Sequence, residues 1–460
     1  MSERVHLIGI GGVGMSALAQ LLCARGLRVS GSDMQPSPVL ARLRAQGAEV
    51  AVGHRAAQVE GADRVVISDA IKEDNPELAR ARELGLRVQR RSEALAELAR
   101  EYRVIAVSGT HGKTTLTAML GHILVEAGLR PTVLLGGDYS PFGGNAVVGD
   151  SKWMVLEACE AYESFLDLSP EIAVVTNIEP DHLDHHGTEQ HLRESFARFL
   201  SHLTPSGCAV LCRDRRELLP LAAPLPRPVV WYGREPEAAV RGTEFAAEGL
   251  GGRCRLSVDG QDAGEVHIGA PGEHNLVNAL GALAAARQAG APLEAGRRAL
   301  AAFRGVGRRF EVLGEAAGVV IVDDYAHHPT EIEATLAAAR AVYPGRRLVA
   351  VFQPHLYSRT RDLAAGFAAA LAGADLAVLT DIYPAREAPV PGVTRALIAE
   401  PLRRARGQEA VLELEKENVV SHISRQVRPG DVLVMMGAGD IGELARETYR
   451  ALASRHGKRG

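Results

Sequence analysis

A β-branched run that halts at a glycine-rich turn and resumes as a helix leaves few folds open. Residues 104–115 do this: Val104-Ile105-Ala106-Val107-Ser108-Gly109-Thr110-His111-Gly112-Lys113-Thr114-Thr115. Strand, loop and helix in that order make a cradle for nucleotide phosphates. Gly109 and Gly112 let backbone N–H groups approach phosphate oxygens with no Cβ in the way, and the helix start adds unpaired donors and a favourable dipole. Lys113 supplies a cation for the β- and γ-phosphates, and the Thr114 hydroxyl suits a magnesium ion. Thr110, His111 and Thr115 complete the loop, which is a shortened form of G-x-x-x-x-G-K-S/T because Val107 stands where the first glycine would fall.

A chain of 460 residues is too long for one core, and about three domains are expected. The formal net charge of −4 argues against a nucleic-acid partner held by bulk electrostatics. Five dispersed cysteines (Cys23, Cys159, Cys208, Cys212, Cys254) read as reduced thiols, with no second pair to complete a zinc site. The first residues run into a strand without a charged-then-apolar leader, and no apolar run reaches ~18 residues, so a cytoplasmic protein with no membrane partner is expected.

Ahead of the phosphate loop, Gly9-x-Gly11-x-x-Gly14 lies between a strand and a helix that begins near Val13, and Asp33 ends the next strand after Ser32. This satisfies the dinucleotide fingerprint and alone favours NAD. The physics requires only a pyrophosphate at a helix N-terminus, which a UDP-sugar also offers. Alternating strands and helices then continue to the phosphate loop, forming an α/β domain of roughly one hundred residues.

Behind the loop, one strand ends in Glu157-Ala158-Cys159-Glu160, and another in Thr176-Asn177-Ile178-Glu179-Pro180-Asp181-His182. Carboxylates at strand C-termini fall where a parallel sheet keeps its ligand crevice. Thr114 and Glu157 suit the hard-oxygen taste of magnesium, with manganese as the alternative, and His182 would be a less usual ligand. His185, His186 and His191 read as a solvated polar turn. Further on, His274, Asn275 and Asn278 could face an adenine or simply start a helix. After a linker at 305–309, Asp323-Asp324-Tyr325-Ala326-His327-His328-Pro329, Gln353-Pro354-His355-Leu356-Tyr357-Ser358-Arg359 and Gly437-Ala438-Gly439-Asp440 follow three strands, which suggests a binding edge.

Taken in order, Gly-Ile-Gly-Gly-Val-Gly-Met at 9–15, Gly-Thr-His-Gly-Lys-Thr-Thr at 109–115, Thr-Asn-Ile at 176–178, His-Asn-x-x-Asn at 274–278, Asp-Asp-Tyr-Ala-His-His-Pro-Thr-Glu at 323–331 and Phe-Gln-Pro-His-x-Tyr-Ser-Arg-Thr at 352–360 resemble the Mur ligases. The resemblance implies three α/β domains: a Rossmann-like UDP-sugar domain (1–101), a P-loop-type central ATPase domain (102–306) and a Rossmann-like amino-acid domain (307–460). It runs closest to the members that join L-alanine to UDP-N-acetylmuramate with ATP, through an acyl phosphate. It implies UDP-sugar contacts at Gly9, Gly11, Gly12, Val13, Gly14, Ser32 and Asp33, and ATP contacts at residues 109–115 with His274, Asn275 and Asn278. Lys113, Glu157, His182, His327 and Arg359 become the catalytic set, Thr114, Glu157 and His182 the metal ligands, and Tyr325, His327 and Arg359, with Arg308 beside them, the amino-acid site. Many family members carry Glu-Ala-Asp-Glu-Ser-Asp where this chain has Glu157-Ala158-Cys159-Glu160-Ala161-Tyr162, so acidic groups are missing at 159 and 162. Several sister ligases use a carbamylated lysine, and the absence of lysine between Lys152 and residue 203 predicts none here. An NAD oxidoreductase, a nucleotide-binding switch and a sister ligase that attaches a recycled peptide are the competing readings.

Overall fold

The computed structural model describes residues 2–181, 186–385 and 387–456. It is α/β with three sheets, divided between two compact units: Met1–Gly242, Leu256–Gly264 and Val277–Ala301 in the first, and Thr243–Arg255, Glu265–Leu276 and Ala302–Gly460 in the second. Among the described residues, no helix is long and apolar enough to cross a membrane.

The first unit begins with a parallel sheet of β1 (Arg4–Ile8), β2 (Arg28–Asp33), β3 (Glu49–Val52), β4 (Arg64–Ile67) and β5 (Arg87–Arg90), in the order β3-β2-β1-β4-β5. Strand order reverses at β1, so the crevice at such a switch point opens beyond Ile8, where the glycine turn lies. The next strands are β6 (Arg103–Ser108), β7 (Thr132–Tyr139), β8 (Gly144–Val147), β9 (Trp153–Glu157), β10 (Ile172–Val175), β11 (Cys208–Cys212) and β12 (Val229–Gly233). They run β12-β11-β10-β6-β9-β7-β8, parallel except for β8 against β7. Central β6 is apolar and buried along Val104–Ser108 and is flanked by β9 and β10. Their C-terminal residues therefore surround the phosphate loop.

The two sheets of the first unit are pinned together by a buried amide rather than hanging on a free linker. Asn145 on β8 donates to the Val13 carbonyl at 2.6 Å and to Ser16 Oγ at 3.0 Å, and accepts from Gln20 Nε2 at 2.9 Å. All three partners lie on the helix Val13–Ala24, which follows the glycine turn. A buried side-chain amide satisfied this fully specifies one docking of helix on hairpin.

Strands β13 (Val240–Glu248), β14 (Gly251–Val258) and β15 (Gln261–Ile268) lie where the chain passes from one unit to the other. In the second unit, β16 (Glu311–Ala316), β17 (Val319–Asp324), β18 (Leu348–Phe352), β19 (Leu376–Leu379), β20 (Val411–Glu413) and β21 (Val432–Met436) take the order β16-β17-β21-β18-β19-β20. Only β16 is antiparallel to its neighbour. Alternate residues of β17 enter different cores, Val320 and Val322 in one and Val319 and Ile321 in the other, as a sheet covered on both faces requires. Sequence reasoning placed no element between β19 and β21. The structure has β20 and the helices Ala396–Arg406 and Lys416–Gln426 there, the first with Pro401 inside it.

In the first unit, the turn after β9 is anchored by Phe165, which stacks on Phe199 (4.9 Å between centroids) and meets Phe196 edge-on (5.2 Å). All three rings are fully buried. Phe196→Ala is expected to cost about 3–5 kcal/mol. Urea unfolding of the two chains checks this, and a loss below about 1 kcal/mol would show that the turn does not depend on the ring cluster.

Candidate active site

The phosphate loop is held open by the strand beside it. Thr110 N–H donates to the Asn177 carbonyl at 3.1 Å, and His111 N–H to Asn177 Oδ1 at 2.9 Å. In return, Thr176 Oγ and Asn177 Nδ2 donate to the His111 carbonyl at 2.6 and 3.1 Å. Glu179 N–H donates to Thr110 Oγ at 2.9 Å, and its carboxylate lies 3.4 Å from the His111 ring. Gly109 has φ +128°, and a Cβ there would lie 2.1 Å from Thr176 Oγ. Gly112, at φ +83°, precedes the helix Lys113–Glu126, and a Cβ on it would meet Asn278 Oδ1 at 2.8 Å. Both glycines are therefore required by a left-handed backbone and by close approach. No side chain caps this helix, so its N-terminal donors point into the loop.

Lys113 is folded back onto its own loop. Its ammonium donates to the Gly109 carbonyl, to the Thr110 carbonyl at 3.1 Å and to Glu160 Oε1 at 3.0 Å. Burial alone would drive the amine towards neutrality, but Glu160 and, at longer range, Glu157 outweigh it and leave its pKa above the ordinary value. Glu160 was not singled out from sequence as a site residue; its partner is 47 positions away, and no local pattern marks the pair.

Thr114 Oγ donates to Glu157 Oε2 at 3.0 Å, and Glu157 Oε1 accepts the Gly136 N–H. A hydroxyl and a carboxylate converging beside a phosphate loop form a hard-oxygen donor set that fits magnesium. Thr115 is buried in the first helical turn. His182 and His185 lie outside the described residues. His186, expected in a solvated turn, is buried, because its Nε2 bonds the Glu160 carbonyl at 3.2 Å. Cys159 is half-buried, and desolvation followed by Glu160 pushes its thiol up to about 11, so it stays protonated beside Lys113.

At the first sheet, Gly9 and Ile10 N–H donate to the Ser32 carbonyl at 2.8 and 2.9 Å, and Gly11 N–H to Asp33 Oδ2 at 2.9 Å. Gly12 caps the next helix without a side chain, and Val13 is exposed at its start. Gly14 packs on Arg91, whose guanidinium is close enough to lower the Cys159 pKa. Arg91 thus lies between the glycine turn and the end of β9, a placement invisible in sequence. The Ser32 hydroxyl is committed inward: it donates to Glu77 Oε2 at 2.7 Å and lies 2.9 Å from His54 Nδ1, and His6 reaches the same carboxylate at 2.9 Å.

In the second unit, the ends of β17 and β18 gather Tyr325, His327, His355 and Arg359. The His327 and His355 ring centroids are 6.1 Å apart, His355 stacks on Tyr383 at 5.6 Å, and Arg359 Nη1 is 3.2 Å from His355 Nδ1. His327 Nδ1 bonds the Tyr325 carbonyl at 2.9 Å. A carbonyl only accepts, so Nδ1 carries a proton in this bond, and the Glu331 carboxylate lies 3.3 Å from the same nitrogen. Arg308 and Arg309 lie over the Tyr325 ring at 4.9 and 5.0 Å. His355, quoted in a sequence motif but given no role, is the residue that joins the Arg359 and His327 sides. Asp324 is spent on structure, accepting from Phe310 and Ala326 N–H. Asn275 donates to the Pro271 carbonyl at 2.7 Å, and His274 borders a cavity of about 440 Å³ lined by Phe245, Gly272, Ala334 and Ala338.

A parallel sheet whose central strand ends in a lysine-bearing phosphate loop, with a hydroxyl and a carboxylate converging beside it, defines a P-loop-type nucleotide-binding protein. The chain belongs to the Mur ligase family: it matches the Mur ligase family catalytic domain at residues 4–103, the Mur ligase middle domain at 107–286 and the Mur ligase glutamate ligase domain at 308–439. It is 46% identical over 462 residues to a UDP-N-acetylmuramate–L-alanine ligase of Symbiobacterium thermophilum, covering 99% of this chain and 95% of that one. The corresponding ligase of Geotalea daltonii is 43% identical over 450 residues, 98% of each chain. Among solved structures, the UDP-N-acetylmuramate-alanine ligase of Thermotoga maritima superposes with a TM-score of 0.83 at 29% identity, covering 98% of this chain and 99% of that one. A murein peptide ligase of Psychrobacter arcticus gives 0.75 at 26% identity, with 98% and 99% covered.

Burial pushes the Asp324 carboxyl up from 3.8 to about 6. Between these values the native state holds a proton that the unfolded chain has lost, so this contribution is fully present below pH 3.8 and is lost as pH rises through the window, by up to about 1.4 kcal/mol per pH unit. Asp324→Asn is expected to remove this slope. Unfolding free energies of the two chains at about pH 4 and 7 check this; equal pH dependence would mean the native carboxyl titrates normally.

Proposed function

We propose that the chain is an ATP-dependent ligase that joins L-alanine to the lactyl carboxylate of UDP-N-acetylmuramate, giving UDP-N-acetylmuramoyl-L-alanine, ADP and phosphate in cytoplasmic peptidoglycan synthesis. The observation that carries the reading is the convergence of Lys113, Thr114 and Glu157 at the end of β6, in a chain whose full-length relatives bear that ligase's name. Residues 1–101 bind the UDP-sugar, with the pyrophosphate at the Gly9–Gly14 turn and Arg91 as a cation next to it. Residues 102–306 bind ATP, and residues 307–460 bind the amino acid.

The carboxylate oxygen of the muramate attacks the γ-phosphorus of ATP, the bond to the β-phosphate oxygen breaks, and ADP leaves. Lys113 exchanges Glu160 and the loop carbonyls for phosphate oxygens, and the N-terminus of its helix holds the charge that develops there. Magnesium, or manganese in its place, would be held by Thr114 and Glu157, with His182 as a further ligand, and supplies charge neutralisation and alignment of the phosphates. The amine of alanine then attacks the acyl-phosphate carbon, and phosphate departs from the tetrahedral intermediate. His327 Nε2 takes the amine proton, while Arg359, steadied by His355, grips the alanine carboxylate.

Phosphate release from ATP in the presence of UDP-N-acetylmuramate is expected to require L-alanine. Dependence on a muramyl-type peptide instead would move the chain to the recycling ligases, and release without either acceptor would leave a nucleotide-binding switch. Glycine, lacking a methyl worth about 1–3 kcal/mol, is expected to be about 10–200-fold poorer in kcat/KM. Arg359→Lys is expected to raise the KM for alanine by at least about 10-fold with a smaller change in kcat, since a point charge cannot replace the bidentate fork. An unchanged KM would remove Arg359 from the acceptor site.

A further inference from the structure

The turn after β9 and the helix Glu189–Ser201 bring Glu163, His186 and His191 together within the first unit, and none of the three is assigned above to ATP or its metal. One ligand atom from each lies within 4.8 Å of the others. Two of the three are pinned to a single atom: the Glu160 carbonyl accepts the Glu163 N–H at 3.0 Å and the His186 Nε2–H at 3.2 Å. A carbonyl only accepts, so Nε2 carries a proton in that bond and Nδ1 is the nitrogen a metal would take. An imidazole that donates one N–H to a backbone carbonyl while offering its other nitrogen is the usual arrangement of a metal-ligating histidine.

The third ligand is equally fixed. Thr188 caps the helix by accepting the His191 N–H at 3.1 Å, which sets His191 on the first turn with its Nε2 3.4 Å from Glu163 Oε1. The His186 and His191 rings lie 5.8 Å apart between centroids. Glu163 has φ +53°, a strained conformation for a residue with a side chain, and its carboxylate also accepts from Ser195 and Arg198. Arg198 is half exposed and can turn into water when a dication takes its place at the carboxylate.

We propose that Glu163, His186 and His191 form a binding site for one late first-row divalent ion of the zinc type, separate from the Thr114–Glu157 position. Two imidazole nitrogens and one carboxylate oxygen suit zinc or cobalt and are a poor set for magnesium, which prefers oxygen and keeps its waters.

The test uses the tag-free full-length chain without nucleotide, in excess magnesium to occupy the hard-oxygen position, titrated with cobalt(II) as the probe. One equivalent is expected to bind with a visible ligand-field band and to be displaced by zinc. His191→Ala and Glu163→Gln are expected to weaken binding by at least about 10–100-fold. His191 is exposed, so its loss does not threaten the fold, and far-UV circular dichroism of each variant checks this. Glu157→Gln is expected to leave cobalt affinity and spectrum unchanged. The proposal is overturned if the parent binds no cobalt, if His191→Ala binds it as the parent does, or if Glu157→Gln abolishes the band while His191→Ala keeps it. These outcomes do not depend on ligase activity, so a failed metal site and a failed functional assignment are told apart.

Discussion

A buried ammonium has to be neutralised before any substrate reaches it, and much of the central sheet is arranged to do so for Lys113. Taking an amine out of water costs several kcal/mol unless charge and hydrogen bonds replace the solvent. Here two loop carbonyls and the Glu160 carboxylate provide them. Glu160 can reach the lysine only because the chain turns sharply after β9. That turn is fixed by the Phe165–Phe196–Phe199 cluster and by the two donors that converge on the Glu160 carbonyl. The oxygens that Lys113 needs are supplied from within the chain, and an incoming triphosphate would exchange one set of oxygens for another. Preorganisation of this kind reserves binding energy for the charge that develops during phosphoryl transfer.

The same turn makes sense of the departure at Cys159. With Glu157 and Glu160 already close to Lys113, a carboxylate at 159 would add a third negative charge in a buried space. Cys159 stays protonated there and presents none. Glu160 thereby remains the carboxylate in direct contact with the lysine, and the pocket offers one negative charge fewer to an anionic substrate.

What the sequence made legible was whatever is local in the chain. The phosphate loop, the glycine turn and the polar ends of β17, β18 and β21 were all placed from strand-to-loop transitions, because a strand that ends in glycine or polar residues at a parallel sheet edge has few other uses. Pairings across long separations were not legible: Glu160 with Lys113, Arg91 beside Gly14 and Cys159, Asn145 under the first helix, and Glu77 joining His6, His54 and Ser32. Each depends on which strands become neighbours, and no periodicity encodes that. The reading of His186 as a solvated turn failed for a related reason, since a histidine-rich polar stretch looks solvated unless the carbonyl that receives one ring is known. The helix Ala396–Arg406 tolerates Pro401 because the burial of Ile398, Ala399 and Leu402 offsets the cost of a proline inside a helix.

In the second unit, the chemistry follows from one bond direction. The Tyr325 carbonyl accepts from His327 Nδ1, so in the neutral ring the basic nitrogen is Nε2 on the other side, and the His355–Arg359 contact holds a guanidinium within the same strand-end cluster. An amino acid must arrive with its amine able to lose a proton and its carboxylate held away from the reacting carbon. In the proposed acceptor site, His327 Nε2 and the Arg359 guanidinium would meet these two requirements. If Nδ1 were instead the unprotonated nitrogen, His327 would face the Tyr325 carbonyl and the Glu331 carboxylate with a lone pair and could only donate outward. These two acceptors therefore hold a proton on Nδ1 and leave Nε2 as the nitrogen that would take the amine proton in the proposed acceptor site.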